Sequence, residues 1–500
     1  CLAATSIDVT KDLSSVSFTL TKSAKWHDGK PVTIDDLIFT FKTLKSQGPP
    51  YYRQVLRKIT VSKTAPDTIT YTSGRKGDRS FVSLVGTLPI HPKHFWEKNG
   101  LEQKSMTIPL GSGPYRIVKA TAGKTAHLSR VKNYWAKDHF TQKGRYNFDE
   151  VIFNYYRDNR TALESFKTGN DDIRLEDDAV AWSKEYKGPS LDKGEIVKTS
   201  FPSNDPGKMI MLTFNQRNPI FKDRRVRKAL ALLYDFEAAN RILFHGLYTP
   251  VKSAYGTSEL AASGKATAEQ QALLKPFLNK LPENILNQPG PDLENNKLTS
   301  RQRIRAASKL LDEAGLKLSG NSRIDPNTGK PLVFSILYMN RRHQRILLHY
   351  AESLKAIGIE LSIPELEAFA ARKKMLEHDF DMTILQWMPK MLVGTSEHLL
   401  WGSQLADVKG SYALAGLKDP AIDASITAMQ LAQDWQAMKS AAKTFDRIFR
   451  WQIHAIPLWH SNEEWISTSK SIVTPEPSPL FETTYVDRFW QKPLKQSSLK

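Results

Sequence analysis

A tryptophan, a methionine, a proline and a lysine follow one another at the end of a predicted strand: Trp387, Met388, Pro389 and Lys390. The strand is predicted because apolar residues alternate over residues 380–384, which places them on one buried face. An indole and a thioether supply apolar contact surface, and a lysine supplies a positive charge. Since a strand end is a rigid place to hold such groups, these four residues form a candidate ligand-binding site.

Two groups of histidines could suggest catalysis or metal binding. His27 and Asp28 are neighbours on a predicted turn, and adjacent residues on a turn rarely point at one another, so we expect no catalytic dyad. His91 and His94 lack a further ligand at a suitable spacing, whereas zinc sites take a third and usually a fourth protein ligand. The chain also lacks the patterns of a nucleophile elbow and of a phosphate loop. We therefore expect no enzyme active site, no metal site and no cofactor.

Helices and strands alternate in the stretch that leads to the candidate site. Ser300 can cap a helix that stops near Gly315, and a strand follows over residues 332–338. A second amphipathic helix ends at Gly358, before an alternating run at residues 359–363. This alternation is the signature of an open α/β sheet. Ligands of such sheets bind outside the carboxyl ends of the strands, and the candidate site follows one of these ends.

Length and composition indicate a globular chain of several domains. The 500 residues suggest three domains at roughly 150 residues each. The chain has 40% hydrophobic and 25% charged residues, and no apolar run reaches the ~18 residues of a membrane span. The single cysteine, Cys1, excludes an internal disulfide framework and a cysteine metal cluster.

The charge is strongly positive, with 71 basic against 52 acidic residues and a net charge of +19. Such an excess could indicate a polyanion partner. The densest basic runs, at residues 222–228, 341–345 and 372–374, fall within or beside predicted helices, where they would cover a solvated face. We therefore expect no nucleic-acid partner.

The first part of the chain is predicted to form a small subdomain. Alternation over residues 16–20 predicts that the chain enters directly as a strand, and no secretory signal peptide precedes it in this sequence. Thr33 and Asp36 form a near capping box for an amphipathic helix. The turn-rich stretch Gly111-Ser-Gly-Pro-Tyr115 then predicts a domain boundary near residue 110.

Further helix caps can be read from the sequence. Thr161 and Glu164 predict a capping box for a short helix. Asp223 is predicted to cap a strongly amphipathic helix, and Asp235 its continuation. In the last third of the chain we predict two more helices and a return strand, at residues 419–433, 435–451 and 456–459.

From these patterns, together with the family resemblance described below, we predict an α/β chain of three parts. Residues 1–110 form the small subdomain, residues 111–215 form a large lobe that residues 463–500 complete, and residues 216–462 form a second α/β lobe. Within the second lobe, residues 254–299 are polar and punctuated by prolines, which predicts an insertion rich in loops.

Three stretches resemble one protein family, in the order in which the family has them. They are Trp26-His-Asp-Gly-Lys-Pro-Val-Thr33 with Asp35-Asp36, Gly111-Ser-Gly-Pro-Tyr115, and Phe221-Lys-Asp-Arg-Arg-Val-Arg-Lys-Ala-Leu230. The chain is thereby identified as similar to the family 5, peptide-type substrate-binding proteins of bacterial ABC importers. Further stretches, among them Leu243-Phe-His-Gly-Leu-Tyr248 and Asn147-Phe-Asp-Glu-Val151, resemble the Yej-type subgroup, which is associated with uptake of oligopeptides and of microcin C, a formyl-methionyl peptide antibiotic.

The resemblance implies a fold and a location. It implies the class II periplasmic-binding-protein fold, in which two lobes close on a ligand by a hinge at two crossings, here near residues 216 and 462, with an additional small subdomain. It also implies a monomer in the periplasm that delivers oligopeptides to inner-membrane permease subunits, with ATP hydrolysis in other subunits. Family members carry a further N-terminal segment, so we expect that this chain starts inside the small subdomain and that Cys1 is not a lipoprotein anchor.

The sequence departs from some relatives at the candidate site. In the oligopeptide binders that grip a free α-amino group, an aspartate stands three residues after the tryptophan that matches Trp387, and Lys390 stands here instead. A lysine would repel an ammonium group at a cost of about 1 to several kcal/mol, depending on burial. We therefore hypothesise that the ligand has a blocked or anionic end, as a formylated peptide does.

Other residues could complete a peptide site. Apolar walls could come from Trp387, Met388, Trp401 and Trp459. Asn215 could donate to a ligand carbonyl, and Arg157 could meet a carboxylate. Each has a structural alternative: Trp401 and Trp459 could be core residues, Asn215 could shape the hinge, and Arg157 could form a surface or interlobe ion pair.

Three other functions are open on the sequence alone. A peptide hydrolase would need catalytic groups that the motifs do not supply. A polyanion-binding protein would show a steep loss of binding with salt. A binding protein of the same fold could also take another small ligand, such as a metal chelate, haem or a sugar.

Overall fold

The computed structural model describes residues 2–100, 106–202, 209–291, 298–389, 393–461, 463–474 and 486–492. The strands are β1 (Ala4–Val9), β2 (Ser15–Leu20), β3 (Thr60–Ala65), β4 (Thr68–Thr72), β5 (Tyr115–Thr121), β6 (Thr125–Arg130), β7 (Glu150–Asn154), β8 (Ile173–Glu176), β9 (Ile196–Pro202), β10 (Met209–Phe214), β11 (Leu318–Ser319), β12 (Ser322–Arg323), β13 (Val333–Leu337), β14 (Glu360–Ser362), β15 (Met382–Trp387), β16 (Ala455–Trp459), β17 (Glu463–Ser469), β18 (Ile472–Val473) and β19 (Trp490–Gln491).

The helices of four or more residues with α-helical hydrogen bonding are numbered in the same way. They are α1 (Ile34–Ser46), α2 (Pro50–Val55), α3 (Arg79–Gly86), α4 (Lys93–Asn99), α5 (Asn159–Lys167), α6 (Pro189–Asp192), α7 (Arg224–Leu232), α8 (Phe236–Leu243), α9 (Ala268–Leu274), α10 (Ser300–Glu313), α11 (Gln344–Lys355), α12 (Ala368–Glu377), α13 (Thr395–Trp401), α14 (Pro420–Leu431) and α15 (Trp435–Gln452).

Contacts between residues divide the chain into two compact units. The first unit comprises Cys1–Asp177, Lys184–Pro202 and Glu463–Lys500, and the second comprises Asp178–Ser183 and Ser203–Asn462. The chain therefore passes between the units four times, because residues 178–183 make a short excursion into the second unit. This differs from the two crossings that we predicted.

The first unit begins with an antiparallel sheet in the order β1-β2-β4-β3. Helix α1 packs on this sheet, and the rings of Phe18 and Phe41 lie 6.1 and 5.7 Å from that of Tyr71. The capping box predicted for α1 is confirmed: the Thr33 hydroxyl accepts from the Asp36 backbone, and the Asp36 carboxylate accepts from the Thr33 backbone at 2.8 Å. Two three-stranded sheets follow, β5-β6-β7 and β8-β17-β9.

The second unit is built on a five-stranded sheet in the order β14-β13-β15-β10-β16. Strand β13 is parallel to both β14 and β15, whereas β10 is antiparallel to β15 and β16. Helices α10 and α11 alternate with β13 and β14, which confirms the α/β alternation predicted for this stretch. The helices α14 and α15 pack on each other, and both contribute residues to the unit's large apolar core.

The predicted start of the second lobe, residue 216, is wrong. Strand β10 (Met209–Phe214) lies between β15 and β16 and pairs with both, so it is an inner strand of the second unit's sheet. Its residues are almost all buried, as expected of a strand covered on both faces. The second unit therefore resumes at Ser203, and residues 203–215 do not belong with the first unit.

The predicted caps were right at some helices and wrong at others. Asp223 and Asp235 cap α7 and α8 through their carboxylates, as predicted. The cap of α10 is Thr299, one residue before the predicted Ser300, because Gln302 completes a capping box with it. The cap of α5 is Asp158, which accepts from the backbone of Thr161, so Thr161 lies inside the helix that we expected it to cap.

The segment at residues 254–299 is more than a loop-rich insertion. It contains α9 and two short 3₁₀ helices, and its apolar side chains join the core of the second unit. The buried members are Ala254, Tyr255, Leu260, Leu274, Leu281 and Ile285. Within the part of the chain that the structure describes, no helix combines the length and apolar composition needed to cross a membrane.

Candidate functional site

Four strands of the second unit's sheet point their carboxyl ends towards one edge of the sheet. Strands β14 and β15 are both parallel to β13, and β16 runs in the same direction because both β15 and β16 are antiparallel to β10. At this edge Trp387 lies opposite Met209 of β10, and Trp459 lies opposite Ile210. The register therefore brings the two predicted tryptophans to the same end of the sheet, on either side of β10.

Trp387 itself is a core residue, with 2% of its surface exposed. Its ring contacts four other aromatic rings at centroid distances of 5.7 to 6.2 Å, namely those of Tyr255, Trp401, Phe445 and Phe449. Trp401 is 1% exposed and belongs to the same aromatic group. Among the described residues, neither indole N–H has a hydrogen-bond acceptor. The two tryptophans thus support the strand end from inside.

A buried carboxylate fixes the chain shortly after the strand end. One oxygen of Glu397 accepts from the Gly394 backbone at 2.6 Å and from the Ser396 hydroxyl at 3.0 Å, and the other accepts from the Tyr255 hydroxyl at 3.1 Å. Burial raises the pKa of the Glu397 carboxyl. Gly394 has a φ of +110°, which favours glycine. These hydrogen bonds therefore anchor residues 394–397, just after the point at which the described chain resumes.

The residues directly after Trp387 differ in exposure. Met388 is 43% exposed, so its thioether side chain is accessible to a ligand. Pro389 is buried. Lys390 lies outside the described residues. Met388 is thus the accessible apolar side chain that follows the buried end of β15.

Trp459 is held by neighbouring rings in the second unit. It is 6% exposed, stacks on Tyr248 at an interplanar angle of 22°, and contacts Phe244 at 5.0 Å. The ring of His343 meets it edge to face at 5.7 Å.

An ion pair lies beside this group of rings. Both carboxylate oxygens of Asp178 accept from the Arg345 guanidinium at 2.9 Å, and this guanidinium lies over the Phe244 ring.

Asn215 lies at the other end of the sheet. It follows Phe214, which is opposite Met382 at the start of β15, so the length of a strand separates it from Trp387. Its side-chain amide donates to the carbonyls of His378 and Phe380 at 3.2 and 2.8 Å. Both amide hydrogens are therefore used within the second unit.

Arg157 belongs to the first unit, where it is exposed next to Asp158. The Asp158 carboxylate caps α5, and hydrogen bonds from Thr161, with a smaller contribution from the Arg157 charge, lower its pKa. Arg157 and Trp387 thus belong to different units.

His27 and Asp28, which are neighbours in the sequence, do not bind each other. The His27 ring forms a hydrogen bond with the Gly113 carbonyl at 2.9 Å, and the Asp28 carboxylate forms one with the His94 ring at 2.8 Å.

Some residues of the site could not be found from local patterns. Tyr255 and Glu397 are more than a hundred residues apart in the chain, and so are Trp387 and Met209. The one local signal that was overlooked is the spacing of Gly394 and Glu397, which fits a carboxylate that closes the first turn of a helix.

A cavity of about 300 Å³ lies within the second unit. Its apolar lining includes Met209, Phe449 and Leu458, and Asp235 and Arg303 face it with an ion pair at 3.6 Å. Within the described ranges, no three histidine, cysteine, aspartate or glutamate side chains come together as metal ligands would.

Comparison with known proteins decides the family. The profile of the bacterial extracellular solute-binding proteins, family 5 Middle, matches residues 2–401. The chain belongs to this family. It is a solute-binding component of an ABC importer and not an enzyme, and the family is extracellular.

The relatives match almost the whole of this chain, which covers about four fifths of their length, and their names give different ligands. A Brucella melitensis protein, whose name gives only a binding role, is 35% identical over 483 residues, which is 96% of this chain and 78% of that protein. Two proteins of Agrobacterium fabrum are each 31% identical. The protein named "Probable peptide-binding protein YejA" matches over 98% of this chain and 81% of its own length, and the protein named "Peptidoglycan-binding protein YepA" matches over 96% and 80%.

A solved structure supports the two-lobe periplasmic-binding-protein fold. The oligopeptide-binding protein AppA from Bacillus subtilis, solved with a nonapeptide, matches with a TM-score of 0.75 at 18% sequence identity. The match covers 98% of this chain and 89% of AppA. The predicted α/β fold of this class is therefore confirmed.

Proposed function

We propose that this protein captures oligopeptides in the periplasm and delivers them to permease subunits in the inner membrane. The observation that carries the proposal is the common direction of β13, β14, β15 and β16, whose carboxyl ends lie at one edge of the sheet. Ligands of α/β sheets bind outside such ends. A peptide is the favoured ligand because the YejA relative is named for peptide binding.

The residues after β15 have different roles in this proposal. Met388 contacts ligand side chains, since a flexible thioether adapts to many shapes. Trp387 and Trp401 hold the strand end in place from the core, as their burial favours. Pro389 stiffens the segment. Trp459 supports the neighbouring strand end.

Arg157 and Asn215 are the two other residues that we predicted for the site. Arg157, which is an exposed residue of the first unit, binds a carboxylate of the ligand. Asn215 shapes the turn after β10 and does not donate to the ligand, because its amide hydrogens are already bound to two carbonyls.

Lys390 selects the terminus of the ligand. A lysine repels a free ammonium terminus, so the ligand has a blocked or anionic end, as formylated peptides such as microcin C do. This hypothesis rests on the residue type at position 390 alone.

A second candidate ligand is a peptidoglycan fragment. It is favoured by YepA, whose identity to this chain equals that of YejA. Isothermal titration of this chain with unrelated peptides of equal length, and in parallel with a soluble peptidoglycan digest, separates the two. We expect binding of several peptides. Heat from the digest alone would favour the second candidate, and no binding of any peptide would overturn the proposal.

A further inference from the structure

A second cavity, in the first unit, is lined by positive charge. It has a volume of about 330 Å³ and lies between the end of β6 and the turns that follow it. Its lining residues are Pro114, Arg130, Val131, Lys132, Tyr134, Lys137, Gln142, Arg145 and Tyr146. Four of these nine side chains are cationic, and none of them is acidic.

Nearby acids neutralise part of this charge. Arg130 pairs with Asp149, and Arg145 pairs with Asp487 at 2.7 Å. Lys132 and Lys137 are exposed, and in the described part of the chain neither has an ion-pair partner. The two lysines therefore leave an uncompensated positive charge at the cavity.

The wall of the cavity that contains Arg145 and Tyr146 is fixed. The Arg145 guanidinium is held by the Asp487 carboxylate, and the Tyr146 backbone N–H donates to the Asp487 carbonyl at 2.5 Å. Tyr146 has a φ of +60°, an uncommon conformation for a residue other than glycine. Its ring packs edge-on against Tyr115 and Tyr134, at 6.1 and 6.4 Å. The Arg145 guanidinium and the Tyr146 ring are thus pre-positioned.

Neutral donors lie beside the cations. Burial raises the pKa of Tyr134 to about 12, and burial together with the Asp487 charge raises the pKa of Tyr146. Both phenols therefore stay protonated in neutral solution and can donate. The Gln142 side chain supplies an amide donor.

We propose that this cavity is a binding site for a phosphate group, either free or borne by a lipid headgroup. A phosphate accepts hydrogen bonds on several oxygens arranged in three dimensions, which suits two lysines without ion-pair partners in the described residues, two arginines paired with carboxylates, two phenols and an amide around one cavity. A carboxylate has two oxygens in one plane and would leave most of these donors unused. The site is independent of the strand ends at which we propose that peptides bind.

The exposed ring of Phe140 favours a lipid headgroup as the source of the phosphate. Phe140 is 81% exposed and lies in the same run of turns as Lys137 and Gln142. Aromatic and basic side chains that alternate on one surface are typical of binding to anionic membranes. Phe140 contributes only when the phosphate is part of a lipid surface, so it distinguishes the two sources.

The first experiment measures the melting temperature with and without inorganic phosphate. At 10 mM phosphate we expect a rise of about 1 to 2 °C, because a ligand stabilises the folded state that it binds. Sodium acetate at matched ionic strength should give no rise. The variant K132Q/K137Q should lose the rise, and the control K63Q/K98Q, which removes two exposed lysines elsewhere in the same unit, should keep it. An equal response of both variants, or a rise with acetate, would overturn the proposal.

The second experiment measures sedimentation with vesicles that contain phosphatidylglycerol. If a lipid headgroup is the source, K132Q/K137Q and F140S should each weaken vesicle binding, the double variant by about tenfold or more, and K63Q/K98Q should not. If only free phosphate binds, the first experiment succeeds and no vesicles are bound. Equal binding of vesicles by both double variants would mean that total charge alone attracts the protein to the membrane, and the lipid headgroup would be rejected as the source of the phosphate.

Discussion

Trp387 lies opposite Met209 in the antiparallel pair of β15 and β10, with its indole ring buried among four other aromatic rings. The residue that carries the sequence signal of a ligand site is therefore part of the core, and the accessible side chain is its neighbour, Met388. Stability and ligand affinity should accordingly respond to different residues of the same segment.

The first prediction concerns Trp387. Replacing it with alanine should lower the free energy of unfolding by about 3 to 5 kcal/mol, because the truncation leaves a cavity among packed rings. Trp387→Phe should cost less, since it keeps part of the ring contacts. Urea denaturation followed by circular dichroism measures both. A Trp387→Ala variant as stable as the parent would show that the ring is not a core residue.

The second prediction concerns Met388. Met388→Ala should change the free energy of unfolding by no more than about 0.5 kcal/mol, because the side chain is 43% exposed, but should weaken peptide binding about fivefold or more. Isothermal titration with one peptide gives the affinity. Met106→Ala, at a 61% exposed methionine of the first unit, is the matched control and should bind as the parent does. Unchanged affinity in Met388→Ala would remove Met388 from the site.

The third prediction concerns the hydrogen bond from Tyr255 to Glu397. Tyr255→Phe should destabilise the protein by about 1 to 2 kcal/mol, because the buried carboxylate loses a donor. Combining it with Glu397→Gln should cost less than the sum of the two single changes, since the two groups act as a pair. A double-mutant cycle from denaturation midpoints measures the coupling. Strict additivity would show that the hydrogen bond contributes nothing.

The fourth prediction is a pH dependence at His378. Burial, reinforced by the Arg217 charge, lowers the pKa of His378 from 6.5 to about 4. Between these values the unfolded chain binds the proton more readily than the folded chain, so stability is full above pH 6.5 and falls towards pH 4. The loss from this group is up to about 3 kcal/mol.

The variant His378→Asn separates the contribution of His378 to this pH dependence from that of the protein's other histidines. Asparagine has no titration in this range and tolerates the left-handed backbone of His378, whose φ is +62°. Melting temperatures from pH 4 to 7.5 should fall less steeply in the variant than in the parent. Parallel curves would show that His378 titrates normally.

Much of the second unit could be predicted because its signals are local. The caps Asp223 and Asp235 and the strand at Met382–Trp387 each depend on neighbours a few residues apart, and the structure has them where the sequence indicates. The error at residue 216 has a different origin. A continuous apolar run such as Met209–Phe214 shows that a strand is buried but not which sheet it joins, because its partners are more than 150 residues away.

The same limit applies to the candidate site. Local sequence cannot distinguish an indole that lines a ligand from one that fills a core, since both are apolar and follow a strand. Trp387 was placed in the core by Tyr255, Phe445 and Phe449, which come from distant segments. The exposure of Met388, one residue further on, depends on the same packing.

The most direct test of the proposed function is a pair of titrations of this chain with two peptides that are identical except for an N-terminal formyl group. The account predicts that the formylated peptide binds and that the peptide with a free ammonium terminus binds about tenfold or more weakly. The reason is that the ammonium group has the same charge as Lys390 and repels it, whereas formylation removes this charge. Lys390→Asp should reverse the preference. Equal affinity for both peptides would contradict the assigned role of Lys390, and failure to bind either would contradict peptide capture.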